Sequence, residues 1–304
     1  MTEKRKPLFM FLSPTHWGEW LLVGLMRFFC VFPFRWQIAL SQPVGWMLKH
    51  TMRRRRRIAE KNIALCFPEQ DARQRKSLLD RHFRSLGMSI FEIGLAWWAS
   101  DRRLAKISKR DGLENLQNTL NEGKGVILFS AHFTTVELAP RLISLDSPVG
   151  GLYRHLSLPL FDEMMYRGRS RFSGQQIDKM NIRQLIRNLR QGHTVYFLPD
   201  QAHAGSNSTD SAFFGVKAPT NTTLSRLLTA TGAVCLPCLV LRERNDAGEY
   251  HYRVQYFAPL TEFPEDPQEA ANLLNKIIEN WVRQAPEQYF WIHRRFKSHP
   301  GLYE

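Results

Sequence analysis

The sequence predicts an α/β protein in which a mixed sheet is flanked by helices, and three observations support this. From residue 125 onwards, short apolar segments typical of buried strands alternate with amphipathic segments of helical periodicity. The 304 residues are 43% hydrophobic, which is enough to bury one large core. His132 and Asp200 each come just after an apolar segment, at the strand ends where α/β sheets carry their chemistry.

The chain before the sheet is predicted to be helical. An arginine-rich amphipathic helix at 53–66 ends at Phe67-Pro68, and residues 71–98 repeat apolar side chains with helical spacing. A shorter helix at 113–121 leads into the glycine turn at 123–125.

The alternating part predicts strands and helices in turn. Strands are expected at 125–130, 149–153, 194–198, 233–241 and 250–257. Helices are expected at 135–145, 158–167, 181–190 and 267–284, with one more from about 220 to Thr231 that opens on capping residues. Residues 200–219 are expected to form a loop. The alternation favours an α/β sandwich with a mixed sheet.

Residues 1–50 are predicted to form an N-terminal membrane-associating segment, and residues 51–304 the catalytic domain. Positions 17–36 are mostly apolar and aromatic, and a spanning helix needs about 20 such residues. Glu19, Arg27 and Pro33 interrupt this segment, so it either spans the membrane or lies partly embedded. A buried, kinked helix of a soluble protein is the third interpretation.

The charge balance indicates a polyanionic partner. Lys and Arg exceed Asp and Glu by 14. Five consecutive arginines at 53–57 follow the apolar segment, which predicts contact with anionic membrane lipids and a catalytic domain on the cytoplasmic face. A membrane-attached nucleic-acid-binding protein is a different hypothesis. No nucleic-acid-binding motif accompanies the arginines, so no nucleic-acid partner is expected.

Cys235 and Cys238 have the spacing of a redox or zinc motif. They lie within a strand-like apolar segment, and no second cysteine pair or close histidine pair completes a zinc site. We therefore expect buried structural thiols and no metal site.

His132 and Glu137 have the residue types of a general base and the carboxylate that orients it. On a continuous helix, positions five apart point roughly 140° away from each other. The two side chains can therefore meet only if the chain turns between them, as it does where a strand ends and a helix begins. The alternative is a histidine that merely caps a strand end.

Several segments, in order, resemble the late acyltransferases of lipid A biosynthesis, the lauroyl and myristoyl acyltransferase family within the lysophospholipid acyltransferase-like superfamily. The resemblance covers nearly the whole chain. It is carried by Asn62-Ile-Ala-Leu-Cys-Phe-Pro68, His132-Phe-Thr-Thr-Val-Glu137, Tyr153-Arg154, Pro199-Asp200-Gln201, Phe213-Phe-Gly-Val-Lys-Ala-Pro-Thr220 and Ala285-Pro-Glu-Gln-Tyr-Phe-Trp-Ile-His-Arg-Arg-Phe296. One departure is His155, where proline is expected.

The resemblance implies a glycerolipid acyltransferase-like fold and a specific reaction. A fatty acyl chain is taken from acyl carrier protein and moved to a hydroxyl of an acyl chain on the Kdo-containing lipid A precursor, giving an acyloxyacyl ester. No cofactor is implied, and the location implied is the cytoplasmic face of the inner membrane of a Gram-negative bacterium.

The residues suggest how such a transfer would proceed. Neutral His132 takes the proton of the attacking hydroxyl, and Glu137 fixes its tautomer. Candidate substrate-binding residues are Tyr153, Arg154, Arg169, Arg171, Asp200 and Gln201, since arginine suits phosphate and Asp200 can orient an arginine or the acceptor. The competing enzyme class is a glycerolipid acyltransferase that uses acyl-CoA.

Overall fold

The computed structural model describes residues 6–172, 176–178, 181–201 and 207–304. The strands in these ranges are β1 (Ser108–Asp111), β2 (Val126–Phe129), β3 (Val149–Tyr153), β4 (Gln176–Asp178), β5 (Thr194–Phe197), β6 (Ser208–Phe213), β7 (Val216–Asn221), β8 (Val234–Arg244) and β9 (Tyr250–Tyr256). The helices are α1 (Trp17–Cys30), α2 (Phe34–Thr51), α3 (Arg53–Cys66), α4 (Ala72–Trp98), α5 (Asp101–Lys106), α6 (Leu113–Asn121), α7 (Leu138–Ile143), α8 (Pro159–Ser170), α9 (Ile182–Arg190), α10 (Thr223–Thr231) and α11 (Pro267–Gln284).

Among the described residues, seven strands form one sheet in the order β1-β9-β8-β2-β5-β3-β4. Every neighbouring pair is parallel except β8 and β9, which are antiparallel. The α/β class and the mixed sheet are therefore confirmed.

Strand β2 lies at the centre of the sheet and is buried on both faces. Ile127 and Phe129 belong to one apolar cluster and Val126 and Leu128 to the other, because successive side chains point to opposite sides. Phe129 and Trp281 of α11 pack with ring centroids 5.2 Å apart. Burial on both faces fixes the register of β2 and hence the position of the residues that follow it.

The N-terminal segment does not form the single spanning helix that the sequence allowed. None of the helices in the described part of the chain is both long and apolar enough to cross a membrane. The chain is divided into α1 and α2 at Pro33, and a side chain of α2 caps the carbonyl groups at the end of α1. Gln37 donates to the Phe29, Cys30 and Phe32 carbonyls at 3.1–3.3 Å. Residues 1–5 of this segment lie outside the described residues.

Helices α1 and α2 both pack on α4. The approach of α2 to α4 is close, because a Cβ placed on Gly87 would lie 2.4 Å from the Ser41 carbonyl oxygen. Helix α4 begins at a capping box in which the Asp71 carboxylate accepts from the Gln74 amide and the Gln74 side chain accepts from the Asp71 amide. Its 27 residues span about 40 Å, which lets it support both N-terminal helices.

The prediction of a loop at 200–219 was wrong in its second half. Strands β6 and β7 form an antiparallel hairpin there and pack against α11. The two residues between the strands, Phe214 and Gly215, have φ of 51° and 75°, as a tight two-residue hairpin turn requires. Strands β1 and β4 at the two edges of the sheet were also not predicted.

Cys235 and Cys238 are buried free thiols, as predicted. They point to opposite faces of β8, since each belongs to a different apolar cluster. Burial raises the pKa of Cys235 to about 12. The two thiols are therefore packing groups of the core.

His82 on α4 should make the stability of the protein depend on pH. The side chain is fully buried, Nδ1 donates to the Glu287 carbonyl at 3.0 Å, and Nε2 has no hydrogen-bond partner among the residues that the structure describes. Burial lowers its pKa to about 4, against 6.5 when exposed. The unfolded state therefore binds more protons between these values, and about 3 kcal/mol of the free energy of unfolding is lost as pH falls from 6.5 to 4.

The change that tests this is His82→Gln, which keeps an N–H donor but does not titrate. Urea unfolding at pH 7.5 and pH 4.5 should show a smaller acid loss in the variant than in the wild type. Equal acid losses in the two proteins would contradict the assignment.

Candidate active site

The site begins where two neighbouring parallel strands end. His132 follows β2 and Asp200 follows β5, and these strands pair in register from Val126 with Thr194 to Phe129 with Phe197. The carboxyl ends of paired parallel strands lie at the same edge of a sheet, so both residues emerge side by side. The Ser130 amide donates to the Phe197 carbonyl at 3.0 Å and extends the pairing by one residue.

His132 and Asp200 form a hydrogen-bonded pair. Nδ1 of His132 lies 2.7 Å from Oδ1 of Asp200, and the His132 amide donates to both carboxylate oxygens at 3.2 and 3.1 Å. The Tyr289 hydroxyl donates to Oδ2 at 3.1 Å. With Nδ1 held by the carboxylate, Nε2 is the ring nitrogen available to a substrate.

Asp200 is ionised at neutral pH although only 1% of it is exposed. Burial alone would raise its pKa, but the charge of His132, the hydrogen bonds from His132 and the charge of Arg295 lower it to about 2. An ionised carboxylate at Nδ1 favours the tautomer that carries its proton on Nδ1. It also stabilises the ring when Nε2 takes up a second proton.

The C-terminal segment holds the turn that carries His132. The Thr134 amide donates to the Gln288 carbonyl at 2.7 Å, and the Phe290 amide donates to the His132 carbonyl at 3.0 Å. The Thr134 hydroxyl also lies 2.7 Å from the Ser85 hydroxyl of α4. The turn is therefore fixed from two sides, which orients the His132 ring before any substrate binds.

Glu137 does not form the hydrogen bond to the His132 ring that the sequence suggested. Its carboxylate accepts from Trp97 Nε1 at 2.8 Å and from Arg169 Nε at 3.0 Å, and it forms an ion pair with Arg169. The prediction that Glu137 fixes the His132 tautomer is thus corrected, because Asp200 occupies that position at Nδ1. The chain does turn between positions 133 and 137, so both side chains face the same cavity.

That cavity encloses about 180 Å³ and is mostly apolar. His132, Glu137 and Arg169 supply polar groups, and the apolar lining includes Ala96, Val136, Val149, Leu152, Phe172 and Leu198. Helix α8 approaches α4 closely here, since a Cβ on Gly168 would lie 2.5 Å from the Trp97 ring. This contact places Arg169 opposite Glu137. The arrangement suits a hydrocarbon chain that ends beside a histidine.

The other predicted site residues are not all in the cavity. Tyr153 is buried and donates to the Asp162 carbonyl at 3.0 Å and also to its carboxylate. Arg154 is exposed, and Arg171 is exposed beside Phe172, 5.2 Å from its ring centroid. Gln201 is half-buried next to Asp200.

His155, the departure from the expected proline, also contacts a carboxylate. Its Nδ1 lies 2.9 Å from Oδ2 of Asp162, the residue that accepts from Tyr153.

Sequence reasoning missed three contributors to the site. Tyr289 lies in the C-terminal segment already singled out, but no local pattern indicates that its hydroxyl donates to Asp200. Trp97 lies in the last turn of α4, where no local signal indicates a polar role. Arg141 lines the cavity with its guanidinium 3.8 Å from the Phe172 ring centroid. Within the described ranges, no group of three His, Cys, Asp or Glu side chains is placed to hold a metal ion.

Comparison with known proteins shows similarity along nearly the entire chain. The model of the bacterial lipid A biosynthesis acyltransferase family matches residues 4–298. The lipid A biosynthesis palmitoleoyltransferase of Escherichia coli (strain K12) is 36% identical over 294 residues, 95% of this chain and 94% of the relative. The lauroyltransferase of the same organism is 31% identical over 290 residues, with 95% and 94% covered, and its myristoyltransferase is 25% identical over 295 residues, with 96% and 90% covered.

Proposed function

Since the chain belongs to the bacterial lipid A biosynthesis acyltransferase family, we propose that it transfers a fatty acyl chain from acyl carrier protein to a hydroxyl on the Kdo-containing lipid A precursor. The hydroxyl belongs to an acyl chain already attached to the precursor, so the product is an acyloxyacyl ester. The observation that carries this proposal is a histidine, oriented by an ionised aspartate, at the lining of an apolar cavity.

The geometry supports direct transfer with His132 as general base. Nε2 of neutral His132 takes the proton of the acceptor hydroxyl while the hydroxyl oxygen attacks the thioester carbonyl carbon. The C–S bond then breaks, the new C–O ester bond remains, and the imidazolium returns the proton to the leaving thiolate. Asp200 stabilises the imidazolium between these steps. This reaction needs no nucleophilic side chain and no cofactor.

Membrane association is part of the proposal, with the enzyme at the cytoplasmic face of the inner membrane. Large apolar side chains of the N-terminal segment are exposed on its surface, among them Trp17, Leu21, Phe28, Trp36 and Trp46. Arginines 53–57 begin α3 and are mostly exposed. Exposed apolar and aromatic residues beside basic ones are typical of a segment that lies in a membrane interface.

The donor is tested by supplying the purified enzyme with acyl carrier protein or coenzyme A carrying the same acyl chain. The basic charge excess favours an acidic carrier, so we expect transfer from acyl carrier protein that slows as salt rises, because exposed charges are screened beyond about 8 Å at physiological ionic strength. Preferred use of acyl-CoA with little salt dependence would instead support the glycerolipid acyltransferase alternative.

Glu137 and Arg169 are expected to contribute to transfer as one unit. Each is the ion-pair partner of the other at the cavity wall. Glu137→Gln and Arg169→Gln should each lower kcat/KM roughly 10- to 100-fold, and the double variant should lose little more, because coupled residues of one network are not additive. A matched control is Glu122→Gln with Lys124→Gln, which removes an exposed ion pair.

The result that would contradict this coupling is a double variant whose loss equals the product of the two single losses. Glu137 and Arg169 would then act independently.

A further inference from the structure

A second concave surface, apart from the catalytic cavity, lies between α2, α4 and the ends of β8 and β9. It encloses about 520 Å³. Arg35, Arg81, Arg84, Arg242 and Arg244 line it, together with one acidic side chain, Glu287. We call it the arginine groove. Such an excess of guanidinium groups around one concavity is typical of a site for a phosphate group.

Four of the five arginines of the groove fall into two groups, and the fifth, Arg244, donates to the Tyr250 hydroxyl at 2.9 Å. Only 7% of the Arg242 side chain is exposed, and it is paired with Glu92, with 2.6 Å between Nη2 and Oε1, so its charge is compensated within the protein. Arg35, Arg81 and Arg84 are exposed and form no ion pair with any residue in the described part of the chain. Arg81 donates to the Ser77 hydroxyl at 2.9 Å. These three guanidinium groups retain the capacity to bind an anion.

The groove adjoins an apolar helix face. On α2, Arg35, Gln42 and Trp46 share one side because their spacing follows the helical repeat. Trp36, Trp46 and Met47 of the same helix are 51%, 66% and 49% exposed. Helix α2 therefore presents large apolar side chains to the surroundings and borders an arginine-lined concavity along one flank.

We propose that the arginine groove binds the phosphate of an anionic phospholipid headgroup while the exposed apolar face of α2 lies in the membrane interface. Tryptophans at the interface and arginines at headgroup level are the combination that anionic membranes favour. An acidic protein helix would gain charge contacts from the arginines, but it would leave Trp36, Trp46 and Met47 in water. The inference rests on the proposed membrane association and adds a defined headgroup site to it.

The experiment measures partition of the purified full-length protein onto vesicles of phosphatidylcholine with and without phosphatidylglycerol. The test variant is Arg81→Gln with Arg84→Gln. The matched control is Arg183→Gln with Arg187→Gln, which removes the same charge from exposed positions of α9. Far-UV circular dichroism confirms that all three proteins are folded.

We expect phosphatidylglycerol to strengthen binding of the wild type and the control. The groove variant should bind the vesicles that contain phosphatidylglycerol about 30-fold more weakly than the wild type. This corresponds to ~1 kcal/mol for each of the two arginines, at ~1.4 kcal/mol per tenfold change. Binding to pure phosphatidylcholine should be similar in all three proteins, because it depends on the apolar face.

Three results would overturn the inference, and each has a different meaning. Equal losses in the groove variant and the α9 control would show that only net charge matters. An unchanged groove variant whose activity with acyl carrier protein falls would assign the groove to an acidic protein partner. A wild type that binds neither kind of vesicle would overturn the proposed membrane association itself.

Discussion

Replacing His132 by alanine is expected to lower kcat by on the order of 10²–10⁴, the usual contribution of a general base. The side chain lines the apolar cavity, and its Nδ1 is hydrogen-bonded to the buried Asp200 carboxylate. Without it, the acceptor hydroxyl must attack the thioester while still protonated. The measurement is the initial rate of acyl transfer to lipid acceptor under saturating donor.

Folding of the variant must be established alongside the rate. His193→Ala is the matched control, because His193 is exposed in the turn before β5, at the opposite end of that strand from Asp200. We expect the control to retain wild-type activity and both proteins to keep the same thermal unfolding midpoint to within a few degrees. A folded His132→Ala protein with near-native turnover would remove His132 from the mechanism.

Asp200→Asn is expected to lower kcat by a similar factor, on the order of 10²–10⁴. An asparagine amide can donate to Nδ1, which favours the tautomer with its proton on Nε2. That tautomer cannot accept the hydroxyl proton. The acceptor KM should change far less than kcat, because Asp200 contacts His132 and Tyr289 and does not line the cavity.

The same substitution should also affect stability. The pKa of Asp200 is about 2 in the folded protein and ~3.9 when exposed, so ionisation stabilises the fold by about 2–3 kcal/mol above pH 4, a contribution lost as pH falls through 2. Rates are therefore compared well below the unfolding temperature, with Asp246→Asn, an exposed turn substitution, as control. A folded Asp200→Asn protein with wild-type kcat would show that the carboxylate does not orient the base.

The sequence predicted the strand ends that carry His132 and Asp200, but it did not predict the hydrogen bond between them. The apolar segment before His132 and the one before Asp200 identified two strand ends, and β2 and β5 are indeed neighbours. Which carboxylate meets the imidazole depends on strand order and on a contact across 68 positions of sequence. Local spacing favoured Glu137 because it is five residues away, but strand pairing brought Asp200 closer.

The missed elements share a physical cause, since each depends on tertiary contacts. The β6–β7 hairpin turns at Phe214-Gly215, which lacks the Asn-Gly or Asp-Gly pattern of such turns, and α11 supports it. The Phe214 amide donates to the Glu279 carboxylate of that helix at 2.6 Å. Likewise, Pro33 indicated a break in the N-terminal segment. The sequence did not show that α1 and α2 both pack against α4, because that contact is tertiary.

Acyl transfer by His132 is tested most directly by mass spectrometry of the product formed from acyl carrier protein loaded with one fatty acid and the Kdo-containing lipid A precursor. We expect the precursor to gain the mass of one acyl chain, and fragmentation to place this chain on the hydroxyl of an existing acyl chain. The gain should be absent with His132→Ala and present with His193→Ala. A precursor that stays unmodified, or one that is acylated equally by the His132→Ala protein, would contradict this expectation.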